Sequence, residues 1–218
     1  MRLGLEGSFG FLPGQYYNVR LSLPGRSDSV QRAYSVGSSP VPDPSIIDLG
    51  VREMSGGLVS PRLVGDLCVG DRVDVRGPVG RFTWTRDDGG PVLLVGAGSG
   101  VVPLMSMIRY AVAENLDVPI QLVCSSSSFD YAFYHRDLTS LAEQFSWLRV
   151  THTFTRDPHD PRALHHRRID RVMIAEAVAQ QFPGRTYVCG PPGMVEDVKK
   201  WLRDLGVDLT TILVEKYD

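Results

Sequence analysis

The chain has 218 residues, enough for one large domain or two small ones, each with a buried core. A hydrophobic fraction of 43% and a charged fraction of 22% are those of an ordinary globular protein, and a formal net charge of −2 with a pI of about 6.2 excludes the global basic field of a nucleic-acid binder. Cys68, Cys124 and Cys189 are scattered with no C-x-x-C pair, which argues against a zinc site or iron–sulfur cluster built on this chain's cysteines and fits a reduced, cytoplasmic setting.

Residues 1–15 contain no long apolar stretch with a small-residue cleavage pattern, so they do not read as a signal peptide. The first part of the chain then reads as short strands at 16–21, 32–36, 46–51 and 72–76. Each is rich in β-branched or aromatic residues. Turn chemistry separates them at Pro24-Gly25, Ser38-Ser39-Pro40, Ser55-Gly56-Gly57 and Val69-Gly70-Asp71. This spacing predicts a β-sandwich or barrel without a long helix.

The pattern changes after the polar turn Arg86-Asp87-Asp88-Gly89-Gly90. Strands are predicted at 91–95, 120–123, 150–154, 186–189 and 211–214, alternating with helices at 101–113, 133–145, 171–181 and 195–205. Such alternation implies βαβ units and a parallel sheet covered on both faces. The expected division is 1–88 and 89–218, with the boundary at 87–91 and no internal repeat. Residues 91–108 carry no charge and are of borderline length for a membrane span, but Gly96, Gly98, Gly100 and Pro103 break them into strand, glycine turn and helix.

The turn reads Gly96-Ala97-Gly98-Ser99-Gly100-Val101-Val102-Pro103, a G-x-G-x-G-x-x-P spacing. Glycines let the backbone approach an anion closely, and the next helix points free N–H groups and its positive dipole end at it. Pro103 sits in the first helical turn, where a missing N–H costs little. No Lys-Ser or Lys-Thr follows, which argues against a nucleoside-triphosphatase loop. Alone, the turn also fits a tight strand-to-helix connection without ligand. Its place after the first strand of the βαβ series favours a pyrophosphate.

In Arg32-Ala33-Tyr34-Ser35, strand alternation puts Arg32 and Tyr34 on one face and Ala33 and Ser35 on the other. A planar aromatic can stack on a flavin, and a guanidinium beside it can clamp phosphate. An exposed arginine beside a half-buried tyrosine on a surface strand is the competing reading. Ser55-Gly56-Gly57-Leu58-Val59-Ser60 precedes a short helix at 61–63 and offers backbone N–H groups and a hydroxyl to a second phosphate.

Taken together, Pro13-Gly14-Gln15, Arg32-Ala33-Tyr34-Ser35, Gly57-Leu58-Val59-Ser60, Gly77-Pro78-Val79-Gly80-Arg81-Phe82, the glycine turn and Cys189-Gly190-Pro191 resemble, in order, the ferredoxin–NADP⁺ reductase family of flavoenzymes. The resemblance covers nearly the whole chain. It implies an N-terminal antiparallel Greek-key β-barrel that binds FAD and a C-terminal α/β domain with a five-stranded parallel sheet that binds NAD(P)H. It implies that hydride passes from nicotinamide to flavin, and that electrons leave for a separate acceptor such as a ferredoxin, flavodoxin or oxygenase component.

The resemblance also implies residue roles. Arg32 contacts the FAD pyrophosphate, Tyr34 stacks on the isoalloxazine and Ser35 lies near flavin N5. Ala33 belongs to the same segment. Gly57, Leu58, Val59 and Ser60 hold the pyrophosphate, and Val51 and Arg52 line the ribityl side. Gly96, Gly98, Ser99, Gly100 and Pro103 cradle the coenzyme, and Cys189, Gly190 and Pro191 sit at the nicotinamide. In the ending Glu215-Lys216-Tyr217, Tyr217 covers the flavin face. Ser35, Cys189 and Glu215 are the candidate catalytic residues.

Three departures bear on these expectations. Family members usually carry another strand ahead of the Pro-Gly-Gln segment, so the first strand is expected to be missing or the barrel incomplete. Among Ser125-Ser126-Ser127-Ser128, Ser127 replaces an arginine that pairs with the 2′-phosphate of NADP, while Arg156 and Arg168 keep two other phosphate-binding positions. The choice of NADH or NADPH stays open. These 218 residues carry no four-cysteine ferredoxin module, so the acceptor is expected to be a separate protein or molecule. His152, His159, His165 and His166 read as a solvated surface rather than a metal site. The basic loop with Arg162, Arg167, Arg168 and Arg171 reads equally as a dock for an acidic electron carrier or as an ordinary charged loop. The expected protein is a monomer with neither nucleic-acid nor membrane partner. A reductase of free flavin or small acceptors, and a flavin-binding regulatory module without turnover, remain alternatives.

Overall fold

The computed structural model describes residues 1–7, 10–22 and 28–217, and the expected Pro24-Gly25 turn lies outside the described residues. The N-terminal part has strands β1 (Arg2–Gly4), β2 (Tyr16–Ser22), β3 (Ser29–Ser35) and β4 (Ile46–Asp48), the short helix α1 (Ser60–Gly65) and strand β5 (Asp74–Val79). All pairings here are antiparallel: β3-β2-β5 form one sheet and β1-β4 another, with a Val36–Leu49 bridge outside the named strands. The antiparallel expectation holds, as two sheets among the described residues.

Alternation explains which face is buried. Tyr17 and Val19 of β2 face inward with Val30 of β3, and the cluster continues through Val36, Ile47 and Leu49. Strand β1 was not foreseen, because three residues are too few for a period-two pattern. Strand β4 stops before the expected 51. There Leu49 N turns to Met1 O and Gly50 N to Ser35 O, at 2.7 and 3.2 Å. Strand β5 runs past 76 through Gly77-Pro78, where the register against β2 shifts and an irregular position tolerates a proline.

The C-terminal part alternates as β6 (Val92–Ala97), α2 (Val101–Ala113), β7 (Ile120–Ser126), α3 (His135–Gln144), β8 (Leu148–Phe154), α4 (Arg171–Gln180), β9 (Arg185–Gly190), α5 (Pro192–Asp204) and β10 (Ile212–Lys216). The strands form one parallel sheet of order β10-β9-β6-β7-β8. Val92, Leu93, Leu94 and Val95 are all buried, as required of a central strand covered on both faces. Leu94, Leu104, Ile108, Leu122 and Leu138 pack on one side of the sheet, and Leu93, Val95, Ile174, Val198 and Leu202 on the other.

The chain moves outward from β6 through β7 to β8, then returns to the other side of β6 with β9 and β10. The order therefore reverses between β6 and β9, and the crevice beyond the carboxyl ends of such a pair is where open α/β sheets bind ligands. The joint between the two parts is stitched: Trp84 Nε1 donates to Gly89 O at 2.9 Å, Tyr187 Oη donates to Thr83 O at 3.0 Å, and Phe82 meets Tyr187 edge-on. Among the described residues, no helix is long and apolar enough to cross a membrane.

Candidate functional site

The glycine turn sits at the reversal point. Gly98–Gly100 form a single 3-10 turn that feeds directly into α2. Gly98 has φ +56, and a Cβ built there would lie in ordinary contact with Arg52 Nη1 at 3.6 Å, so the turn's outer side faces that guanidinium. Gly100 has the opposite constraint: a Cβ there would run into the carbonyl of Cys189. The glycine is what lets the turn after β6 lie against the end of β9. The expected coenzyme residues of these two segments are thus side by side, and Pro103 is buried in the first turn of α2.

Helix α2 also reaches the N-terminal part. Ser106 Oγ donates to Ser38 O at 2.6 Å and Arg109 Nη1 to Gly37 O at 2.8 Å, while Val102 lies where any side chain at Gly50 would have to go. One rigid element therefore sets the distance between the glycine turn and the end of β3. Ser106, Arg109 and Val102 were not anticipated, since nothing in their local sequence marks a cross-domain contact.

At the end of β3, Arg32 and Ala33 are exposed, Tyr34 is half-buried and Ser35 is buried. Register against β2 confirms the alternation, with Tyr34 opposite Tyr17 and Ser35 opposite Tyr16. Among the described residues, the Arg32 guanidinium bonds its neighbour's carbonyl, Gln31 O, at 2.8 Å, through one of its five N–H donors. Ser35 Oγ is hydrogen-bonded to Tyr217 Oη at 2.5 Å, across 182 positions of sequence. Tyr217 Oη also donates to Glu215 Oε2 at 3.2 Å, and Tyr217 N to Gly190 O at 3.1 Å. Glu215 is the β10 residue opposite Cys189 in the ladder.

Thus Ser35, Cys189, Gly190, Glu215 and Tyr217 converge on one spot between the two parts. Burial drives the Cys189 thiol above its ordinary pKa, with Glu215 adding to the rise and the Tyr217 hydroxyl opposing it. Burial likewise raises the Glu215 carboxyl, and its bond from Tyr217 opposes that rise. The Tyr217 phenol is raised by burial and then by Cys189 and Glu215, so it stays protonated at any ordinary pH. Pro191 is exposed at the start of α5.

The second candidate phosphate cradle is compact. Gly57 N donates to Met54 O at 2.8 Å, and Ser60 Oγ accepts from Met54 N at 3.0 Å. Val59 is buried while Leu58 is exposed, and the helix that follows starts at Ser60, one residue earlier than expected. Val51 packs against the N-terminal core. Arg52, expected on the ribityl side, points across the gap: its guanidinium lies 5.4 Å from the Tyr131 ring centroid and alongside Gly98. Tyr131 was not anticipated.

The serine run lies where β7 ends. Ser125 is buried on the strand, and Arg156 N donates to Ser127 O at 2.8 Å, so two expected coenzyme positions meet. Arg156 and Arg168 are exposed. The segment before Arg168 runs back parallel to β8 through a Thr153–His165 bridge and a bond from Thr153 Oγ1 to Arg167 O, which carries Arg168 to the same crest.

One expectation is corrected here. His152 is buried on β8, not part of a solvated surface: Nδ1 lies 3.0 Å from Cys124 Sγ, its ring stacks on His135 at 4.0 Å, and Nε2 has no partner. Desolvation, aided by His135, pulls its pKa down to about 4. His165 Nε2 is likewise enclosed without a partner, whereas His159 and His166 are exposed. No group of three or more metal-ligating side chains forms among the described residues. Elsewhere along the joint, a groove of about 840 Å³ opens between residues 38–48 and helices α2 and α3. Its main charges are already paired, Arg2 with Asp48 and Arg109 with Asp137.

The fold is that of a two-domain oxidoreductase in which the end of β3 and the end of β9 meet at one gap. Comparisons with known proteins agree. Residues 1–84 match the oxidoreductase FAD-binding domain family and residues 94–200 the oxidoreductase NAD-binding domain family. The ferredoxin–NAD(P)⁺ reductase component of the naphthalene 1,2-dioxygenase/salicylate 5-hydroxylase systems of a Ralstonia species is 29% identical over 211 residues, 95% of this chain and 60% of that protein. The flavohem-like FAD/NAD-binding domain of nitric oxide dioxygenase from Vibrio cholerae superposes with a TM-score of 0.83 at 25% identity, covering 96% of this chain and 86% of that one. An Amycolatopsis cytochrome P450 reductase also gives 0.83, at 27% identity, over 99% of this chain and 63% of that one. The chain belongs to the ferredoxin–NADP⁺ reductase-like family of flavoenzymes. It spans about half to three-fifths of the length of the curated relatives it matches.

The residues present fit both groups that the family implies. For the nicotinamide coenzyme, the Gly98–Gly100 turn and the uncapped start of α2 would form the cradle. For FAD, the exposed Arg32 guanidinium and the half-buried Tyr34 ring would offer an anion clamp and a stacking face.

Proposed function

We propose that this chain is an FAD-dependent NAD(P)H oxidoreductase that hands electrons to a separate acceptor such as a ferredoxin, flavodoxin or oxygenase component. When bound, the two cofactors supply the redox chemistry, hydride from nicotinamide to flavin and single electrons onward. The observation that carries this reading is the meeting of Ser35 from one domain with Cys189, Glu215 and Tyr217 from the other at the sheet's reversal point.

The chain's own residues then bind, orient and exclude water. Arg32 clamps the FAD pyrophosphate, with Gly57, Leu58, Val59 and Ser60 as the second cradle, and Tyr34 supplies a stacking face. Gly98, Ser99 and Gly100 receive the coenzyme pyrophosphate on the start of α2, and Arg52 faces the same turn. Ser125, Ser127, Arg156 and Arg168 lie at its adenosine end. Ser35 and Cys189 orient the two rings. Glu215, with its raised pKa, can hold a proton beside them. No acid–base residue has to act in the hydride step; alignment and a dry gap suffice. The reading includes a division at 1–88 and 89–218, a monomeric chain and a cytoplasmic setting, which three free cysteines support.

Reconstitution with FAD tests it. The wild-type chain is expected to bind FAD and turn yellow, and Arg32→Ala and Tyr34→Ala to lose flavin occupancy. A chain that takes up no added FAD would sink the proposal.

A further inference from the structure

A planar ring that is to stand between Ser35 and Cys189 must take the place of the Tyr217 side chain, which bonds Ser35 and packs beside Cys189. What holds Tyr217 there is therefore a control point. Its hydroxyl bonds have already been described, and its amide is the last tie of β10 to Gly190 O. One further tie lies on the preceding residue. Lys216 Nζ meets Glu196 Oε1 at 2.6 Å, pinning the last strand residue to α5, the helix that leads out of Gly190-Pro191. The two side chains are 43% and 63% exposed, so the pair sits in water and responds to salt. Lys216 holds the Glu196 carboxyl below its ordinary pKa, as expected if the pair is formed.

We propose that Lys216 and Glu196 form a latch that sets how often Tyr217 leaves the gap, and so act as positioning residues for coenzyme access. The inference rests on the functional reading above. An exposed pair is weak, so its loss shifts the closed-to-open ratio modestly, by up to about 5-fold. If the closed state dominates, apparent coenzyme affinity follows the open fraction and rises by the same factor. Lys216 and Glu196 pair in solvent, outside the group of residues that converge at the gap, so hydride transfer within the assembled complex is expected to be unchanged.

The test compares the full chain with Glu196→Gln, Lys216→Met and the swap Glu196→Lys/Lys216→Glu. Hydrogen exchange at the Tyr217 amide, measured without coenzyme, reads the latch directly. Equilibrium binding of NAD⁺ and NADP⁺ to the FAD-loaded proteins reads access, and steady-state kinetics read KM against kcat. Both single variants are expected to exchange faster and to bind coenzyme more tightly, each by up to about 5-fold, with KM lowered and kcat kept. The swap restores wild-type behaviour. At ~1 M salt the wild type approaches the variants, which themselves change little. Wild-type exchange in the single variants, no restoration by the swap, or faster exchange with unaltered coenzyme affinity would each overturn the proposal. If no protein binds either coenzyme, the functional reading fails separately, while the exchange and swap measurements still decide the latch.

Discussion

The two halves of the site are built from different materials. On the parallel sheet, the proposed anion cradle is backbone: glycines at Gly98 and Gly100 and the N–H groups at the start of α2. On the antiparallel side, the proposed site is side chains: Arg32, Tyr34 and Ser35 at one strand end, joined by Tyr217 from the other domain. A backbone site stands or falls on whether the chain can pass through a given space. A side-chain site degrades one contact at a time. Substitutions in the two halves should therefore differ in size and kind.

The largest effect is expected at Gly100. A methyl group there meets the Cys189 backbone, which cannot swing aside. Gly100→Ala should cost on the order of 2–4 kcal/mol of stability and abolish coenzyme binding, by denaturant unfolding and equilibrium binding. Gly193→Ala, with nothing within 4 Å of the added carbon, is the control and should change little. Equal losses in the two variants would remove the distinction between a close-approach glycine and an incidental one.

A mid-sized effect is expected at His152 and depends on pH. Its pKa is lowered to about 4 from an ordinary 6.5, so the folded state binds fewer protons than the unfolded state. The stability it contributes is complete above pH 6.5 and is lost as pH falls through 4. Between those values the wild type should lose on the order of 2–3 kcal/mol more than His152→Phe. Urea unfolding across that window checks the sign, and parallel pH curves would show that burial beside His135 keeps the ring no more neutral than water does.

Smaller effects belong to the side-chain half. Tyr217→Phe removes the bonds to Ser35 and Glu215 but keeps the ring, and should cost about 0.5–1.5 kcal/mol. Ser35→Ala should cost a similar amount, and the double variant little more than either alone. Additive losses in that cycle would show that the 2.5 Å contact carries no coupling.

The same contrast explains what the sequence disclosed. Backbone-built features are local. The glycine spacing, the alternation around Tyr34 and the uncharged run that opens α2 are each complete within a dozen residues, and that helix was expected at the bounds observed, Val101–Ala113. The parallel sheet followed from strand–helix alternation. The contacts that join the halves are not local. Nothing near Ser106 or Arg109 tells of Ser38 and Gly37, and His152 looked like part of a histidine-rich surface because its burial depends on His135 and Cys124, residues of neighbouring elements. Arg52 followed the family pattern on paper, but its orientation toward Tyr131 and Gly98 is a matter of how the domains face each other. Resemblance placed Tyr217 at the gap; only the fold supplied its partners.

The central claim, that both halves of the site serve one transfer, is tested most directly by an anaerobic titration of the FAD-loaded chain with NADH and with NADPH. The account predicts that at least one coenzyme bleaches the flavin's visible absorbance, and that Gly100→Ala, if its FAD occupancy is kept, does not respond. A wild-type flavin that stays oxidised with both coenzymes would contradict it and leave a flavin binder without turnover.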